Sequence, residues 1–290
     1  MASSYRGSPL GIRILIFLYR LFGYGFVKFF VFFIALFYAV ASRTKRFELY
    51  GYYKRVGLSA SWNTYFRHVY RFSLTIFDRF ISRQGMQEHG VRVERINVEN
   101  FEALTRDGGI VILSHLGNWA QSFKIFETYD VTLNIVMAEA LDEELSAMEN
   151  LAASNERIRV INMNEGMQSV VDIAGALLRK EVVIMMADRI VNAGKSVAVP
   201  FLGTPARFNS GPFEIARMRN VPLVGMSIVR SGDGTLRIII SDILHAGEAG
   251  VAPTMARYAE FLETTVRQYP LQWFNFYDFW EEMEAKQPEA

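Results

Sequence analysis

The sequence predicts an α/β architecture: a mainly parallel central sheet flanked by helices, preceded by an amphipathic or re-entrant helical segment of the kind that meets a membrane. Three observations predict it. Through the middle of the chain short apolar runs alternate with helix-like stretches of about 10–15 residues, the pattern of strands joined by crossover helices. Two of those runs, Gly109–Leu113 and Val182–Ala187, stop abruptly at titratable residues, as buried strands do at the carboxyl edge of a sheet. The opening of the chain is instead almost wholly apolar and aromatic, with only scattered cations.

Charge divides the chain the same way. The net charge of the 290 residues is +1, yet residues 1–60 hold nine Lys/Arg against the single acid Glu48, so the remainder is acidic. A basic, aromatic-rich head on an acidic body points to anionic lipid rather than nucleic acid. Residues 1–46 are therefore read as a membrane-associating segment and 47–290 as the main domain. The longest uncharged run, Phe29–Ser42, has 14 residues, short of the ~20 that cross a bilayer. On a regular helix Arg13, Arg20 and Lys28 fall within roughly 80° of one another. That favours a helix lying in the headgroup plane, cations near phosphates, with Arg43, Lys45 and Arg46 as a cytoplasmic-type flank. A single tilted span and an internal apolar helix pair are the alternatives. No small-residue cleavage site follows a short apolar core, which argues against a signal peptide.

The elements follow in order. Residues 47–84 read as two helices broken at Gly57–Ser61, the second carrying large residues at 66, 69, 70, 73, 74 and 77. His68 in that pattern reads as a solvated or core-edge histidine. Val91–Ile96 alternates like a strand and Val98–Thr105 like a short helix. Gly109–Leu113, Val131–Met137, Arg159–Met163 and Val182–Met186 are strand candidates, with an acidic surface helix over 142–156. Met167, Val170, Val171, Ala174, Leu177 and Leu178 mark the apolar face of a further helix. Residues 196–212 are dense in turn formers. Pro222–Arg230 and Thr235–Leu244 flank Gly232-Asp-Gly234 as a hairpin, and Pro253–Tyr269 is the last helix.

The chemistry concentrates at Ser114-His115-Leu-Gly117-Asn118-Trp119-Ala120-Gln121. There is no cysteine, which excludes disulfides and thiolate catalysis, and His115 is the best-placed base among four histidines. An effective base needs something to hold its other ring nitrogen, usually a carboxylate. Asn118 can cap the helix that follows, whose amide dipoles favour an oxyanion or a phosphate. Asp188-Arg189, at a neighbouring strand end, would lie close by. Arg189, Lys195 and Arg207 can receive a phosphate or phosphopantetheine. Ser114 is a poor partner for His115, because adjacent residues of an extended strand point to opposite faces. No spacing resembles a metal-ligand set. A hydrogen-bonded structural histidine gives the same local pattern.

Ser114-His115-Leu-Gly-Asn-Trp119 resembles the first block of the lysophospholipid acyltransferase superfamily, and within it the lipid A late (lauroyl and myristoyl) acyltransferases. Ala187-Asp188-Arg189, Val199-Pro200-Phe201-Leu202-Gly203 and Gly211-Pro212 follow in the matching order. Gln272-Trp-Phe-Asn-Phe-Tyr-Asp-Phe-Trp280, with Phe66-Arg-His68 and Phe77-Asp-Arg79, resembles a branch found in glycolipid and aryl-polyene biosynthetic clusters. The resemblance covers roughly residues 10–281. It implies a glycerol-3-phosphate acyltransferase-like fold on the cytoplasmic face of a bacterial inner membrane. It also implies transfer of a fatty or aryl-polyene acyl group from an acyl carrier protein or CoA thioester to a hydroxyl of a glycolipid or lysolipid. The thioester is the co-substrate and no further cofactor is implied. The partners implied are acyl carrier protein, an acceptor lipid and the membrane surface. His115 would be the general base. Asn118, Asp188, Arg189 and Arg207 would line the site, and Pro200, Phe201 and Gly203 would shape the acceptor side.

One position departs from the pattern. The family places Asp or Glu five residues after the histidine, where this chain has Ala120. In a comparable triad, loss of an orienting carboxylate costs on the order of 10⁴ in rate. The reading favoured here is an enzyme inactivated by an engineered or other Glu→Ala change. Relocation of the role to Glu139 or Asp188, or a weaker stand-in at Gln121, is the competing one. A non-catalytic lipid-binding scaffold and a hydrolase that activates water with the same base are the rival functions. The aromatic run 272–280 reads as a core plug or an acyl-chain wall.

Overall fold

The computed structural model describes residues 9–83, 91–119, 129–137, 155–190 and 195–280. The chain forms two compact units, one of residues 1–91 with Phe276–Asp278, the other of residues 92–275 with 279–290.

The first unit is helical: α1 (Pro9–Ala41), α2 (Lys45–Glu48), α3 (Tyr50–Arg55) and α4 (Trp62–Arg83). It extends well past residue 46 because α1 is not a free-standing segment. Val27, Val31, Ala35 and Ala39 recur every four residues and are all buried. Val27 and Val31 pack with Leu74, Phe77 and Ile81 of α4. Gly23, at φ 76°, breaks the helical path of α1. The 100° per residue that would align Lys28 with Arg13 and Arg20 does not carry across it. Opposite the buried seam, Phe17, Phe22, Phe29, Phe33 and Phe37 stand exposed. By length and composition Ile14–Ala41 suffices to cross a membrane. His68 is neither solvated nor at a core edge. It is wholly buried, its Nδ1 lying 3.2 Å from the Tyr53 hydroxyl and its ring against Phe276.

The second unit is an α/β domain on a seven-stranded sheet. Its strands are β1 (Val93–Ile96), β2 (Gly109–Leu113), β3 (Leu133–Met137), β4 (Ile158–Asn162), β5 (Val182–Met186), β8 (Leu223–Arg230) and β9 (Leu236–Ile240). A separate ribbon pairs β6 (Ser196–Phe201) with β7 (Thr204–Asn209). The helices are α5 (Val98–Asp107), α6 (Met167–Leu178), α7 (Gly211–Arg219), α8 (Ala246–Ala249) and α9 (Val251–Gln268). The order across the sheet is β1-β9-β8-β2-β5-β3-β4. All neighbours pair in parallel except β8 and β9, which form the expected hairpin. β2 lies inside the sheet and every one of its residues is buried, which is why it reads as an unbroken apolar run rather than an alternating one.

On α6 the structure buries Ser169, Ile173, Ala176 and Leu177, while Met167, Val170, Val171 and Leu178 are exposed. The helix is apolar around most of its circumference, so its periodicity did not single out the face that packs. Of the acidic surface helix expected over 142–156, residues 142–154 lie outside the described residues.

Candidate active site

The site is built by strand register. Gly109 to Leu113 of β2 pair residue by residue with Val182 to Met186 of β5. Two residues beyond the end of each strand, the same register sets His115 beside Asp188. The pair follows from two parallel strands of matched length whose apolar residues run out together.

The chain after β2 is held from both sides. Gly117 donates its N–H to the Gln272 carbonyl at 2.7 Å, and Asn118 donates to the Ile228 carbonyl at 2.8 Å. The Phe274 N–H in turn donates to the His115 carbonyl at 2.8 Å. Gly117 has φ 70°, and a Cβ there would sit 1.9 Å from the Ile228 oxygen, so only glycine permits the approach. The amide groups of Gly117 and Asn118 are thus engaged by the fold, so neither can act as an oxyanion donor. Ala120 and the start of the helix expected after Asn118 lie outside the described residues.

Asp188 has no solvent exposure. Its Oδ1 accepts from His115 Nδ1 at 2.8 Å. Its Oδ2 accepts from the His115 backbone N–H at 2.8 Å, the Trp273 indole N–H at 3.0 Å and the Asn275 side-chain amide at 3.0 Å. These four donors match the full acceptor complement of a carboxylate. Burial alone would raise the Asp188 pKa. The charge and the ring and backbone N–H groups of His115, with Arg189 beside it, outweigh burial and hold it at about 2. An ionised carboxylate only accepts, so Nδ1 bears a hydrogen, and in the neutral ring Nε2 carries the lone pair. The His115 side chain keeps 20% of its surface exposed, so the ring is not walled off in the core.

The other residues singled out from sequence fall less close together. Arg189 is exposed, its guanidinium donating to Asn275 Oδ1 at 3.1 Å and to the Phe274 carbonyl at 3.4 Å. Asn275 therefore bridges Asp188 and Arg189. Arg207 donates instead to Ser196 Oγ across the β6–β7 ribbon at 3.1 Å. Arg189 and Arg207 thus have different hydrogen-bond partners. Leu202 and Gly203, at φ 51° and 86°, form the two-residue turn of that ribbon. Phe201 is wholly buried against Phe208, Trp273 and Trp280. It therefore supports the wall behind the site rather than lining the acceptor side, while Pro200 and Gly203 are exposed. Of the head cations, Arg20 and Lys28 are exposed and Lys28 lies 4.7 Å from the centre of the Tyr24 ring. The Arg13 side chain is outside the described residues.

Sequence reasoning missed Trp273 and Asn275 as site residues. Their signal was present: Gln272 and Asn275 are polar interruptions in an otherwise aromatic run, and all three residues from Gln272 to Phe274 are buried along with Asn275.

Residues 70–282 match the family model of the bacterial lipid A biosynthesis acyltransferases. Among solved structures, the 1-acyl-sn-glycerophosphate (LPA) acyltransferase PlsC from Thermotoga maritima is 13% identical, with 90% of this chain and 100% of that chain covered and a TM-score of 0.42. A comparison with curated proteins gives no match.

Proposed function

The chain belongs to the bacterial lipid A biosynthesis acyltransferase family, and from that premise we propose that it transfers a fatty acyl group from an acyl carrier protein or CoA thioester to a hydroxyl of a glycolipid or lysolipid. The single observation that carries the mechanism is the His115 ring, one-fifth exposed to solvent at the carboxyl edge of the sheet (20%), with Nδ1 engaged and Nε2 left as the basic nitrogen. Nε2 takes the proton of the acceptor hydroxyl as its oxygen attacks the thioester carbonyl. The tetrahedral intermediate collapses by breaking the carbon–sulfur bond. The imidazolium returns its proton to the departing thiolate, leaving an ester, a free thiol and a neutral histidine.

Arg189 is the cation closest in bonding to this pair, one amide away through Asn275. It suits the phosphate of a phosphopantetheine arm or of an acceptor lipid. The exposed phenylalanines of α1 support contact with a bilayer, where an acceptor lipid would be found, and the cytoplasmic face of a bacterial inner membrane is where acyl thioesters are available.

The test uses the full chain in mixed micelles with dodecanoyl-acyl carrier protein or dodecanoyl-CoA, and a lysophospholipid or a glycolipid acceptor. Acylated acceptor and stoichiometric thiol are expected, abolished by His115→Ala. Free dodecanoic acid without acylated acceptor would show a hydrolase instead. Acceptor binding without turnover would show a scaffold.

A further inference from the structure

We infer that in this chain the acid that orients the catalytic histidine is Asp188, fixed by Trp273 and Asn275, and that an acid at position 120 is dispensable. This deepens the acyl-transfer reading and rests on it.

A neutral imidazole has one N–H, and in His115 that N–H is spent on Asp188 Oδ1 at 2.8 Å. A second carboxylate, wherever it came from, would find no hydrogen to accept on Nδ1. The partner is also immobile. Its other oxygen takes the His115 backbone N–H, the Trp273 indole and the Asn275 amide, so the carboxylate cannot rotate away without leaving three buried donors unpaired. One residue thereby fixes both the ring of His115 and the backbone that carries it. The low pKa of Asp188, about 2, keeps it an acceptor throughout the physiological range. The block 272–275 is thus neither a plain core plug nor an acyl wall. It is the clamp on the acid.

The same geometry foretells what Asp188→Asn does. Three donors converge on Oδ2, so the amide oxygen of asparagine must occupy that place. Its NH₂ then faces His115 Nδ1, which must accept rather than donate. The ring proton moves to Nε2 and the base is lost. A purely structural carboxylate predicts no such tautomer change.

The test is nitrogen-15 NMR of histidine-labelled full-length protein in micelles, together with transfer of dodecanoyl from acyl carrier protein. The native protein is expected to show the Nδ1–H tautomer at His115. Asp188→Asn is expected to show Nε2–H and a kcat lower by about 10⁴ with KM little changed. Trp273→Phe, which keeps an aromatic ring but removes one donor, is expected to lower kcat by about tenfold. Asp188→Asn retaining both the Nδ1–H tautomer and transfer within tenfold of native overturns the inference. If Asp188→Asn does not fold, Trp273→Phe and Asn275→Ala decide, and native kcat in both overturns it. If the native protein transfers nothing from any donor while the tautomer still flips, the acyl-transfer reading fails and the positioning role stands.

Discussion

The two ends of β5 hold two hydrogen-bonded carboxylates of opposite characters. At the amino end, Glu181 accepts from Arg159 at 2.9 Å, twice from Arg179 at 2.8 and 2.9 Å, and from Asn134 at 3.0 Å. At the carboxyl end, Asp188 accepts from an indole, an amide, a backbone N–H and an imidazole. Both pKa values are lowered although burial opposes it. For Glu181 the hydrogen bonds of Arg179 and Asn134 and the charges of the two arginines do this; for Asp188 it is mainly His115. The difference lies in the partner. A guanidinium stays charged at every working pH, so Glu181 is a fixed staple of the sheet edge. An imidazole can exist with or without its second proton, so on the proposed mechanism Asp188 holds a group whose charge changes during the reaction. Hydrogen-bond number does not mark a functional carboxylate. A titratable, solvent-reaching partner does.

The contrast breaks most visibly in rate. Glu181→Gln is expected to leave kcat within about twofold of native, against the ~10⁴ loss at Asp188. A comparable loss at both sites would erase the distinction. Gly117→Ala comes next. The clash with the Ile228 carbonyl and the left-handed φ should destabilise the second unit by at least about 3 kcal/mol, read as a large fall in melting temperature or loss of folded protein. Acid titration separates the carboxylates further. Asp188 has a folded pKa of about 2, below its unfolded value, so its contribution is present above pH ~4 and lost as pH falls towards 2. That contribution is on the order of 2 kcal/mol and should vanish from the acid-unfolding curve of Asp188→Asn. Glu181→Gln should cost about 1–2 kcal/mol in urea unfolding, and less at high salt, because its arginines are half exposed. The smallest effect is expected of Ala120→Glu. It should change transfer by less than about tenfold, and a rise of 10³ would return the orienting role to position 120.

Much of this was legible in the sequence. The apolar runs Gly109–Leu113 and Val182–Met186 became neighbouring parallel strands, and the hairpin around Gly232-Asp-Gly234 formed as read. His115 at a strand end was legible because the apolar run stops there. Two things were not. The face of α6 was misjudged because a helix apolar nearly all round does not say which side packs. The hydrogen bond between His115 and Asp188 was not foreseen by the family pattern, which places the acid within one turn of the histidine, whereas contact between strands is set by register across 73 residues. Trp273 and Asn275 were hidden for a related reason. Aromatic residues signal burial, but where a buried N–H points is decided by the folded packing around it.

The clamp has a consequence for how the protein is made. A ribosome delivers β2 first, β5 some 70 residues later, and the tryptophan and asparagine that hold the carboxylate 85 and 87 residues after the carboxylate itself. Through most of synthesis His115 is therefore an ordinary, unrestrained imidazole. On the proposed mechanism the imidazole is therefore fully oriented only after the segment holding Trp273 and Asn275 has docked on Asp188.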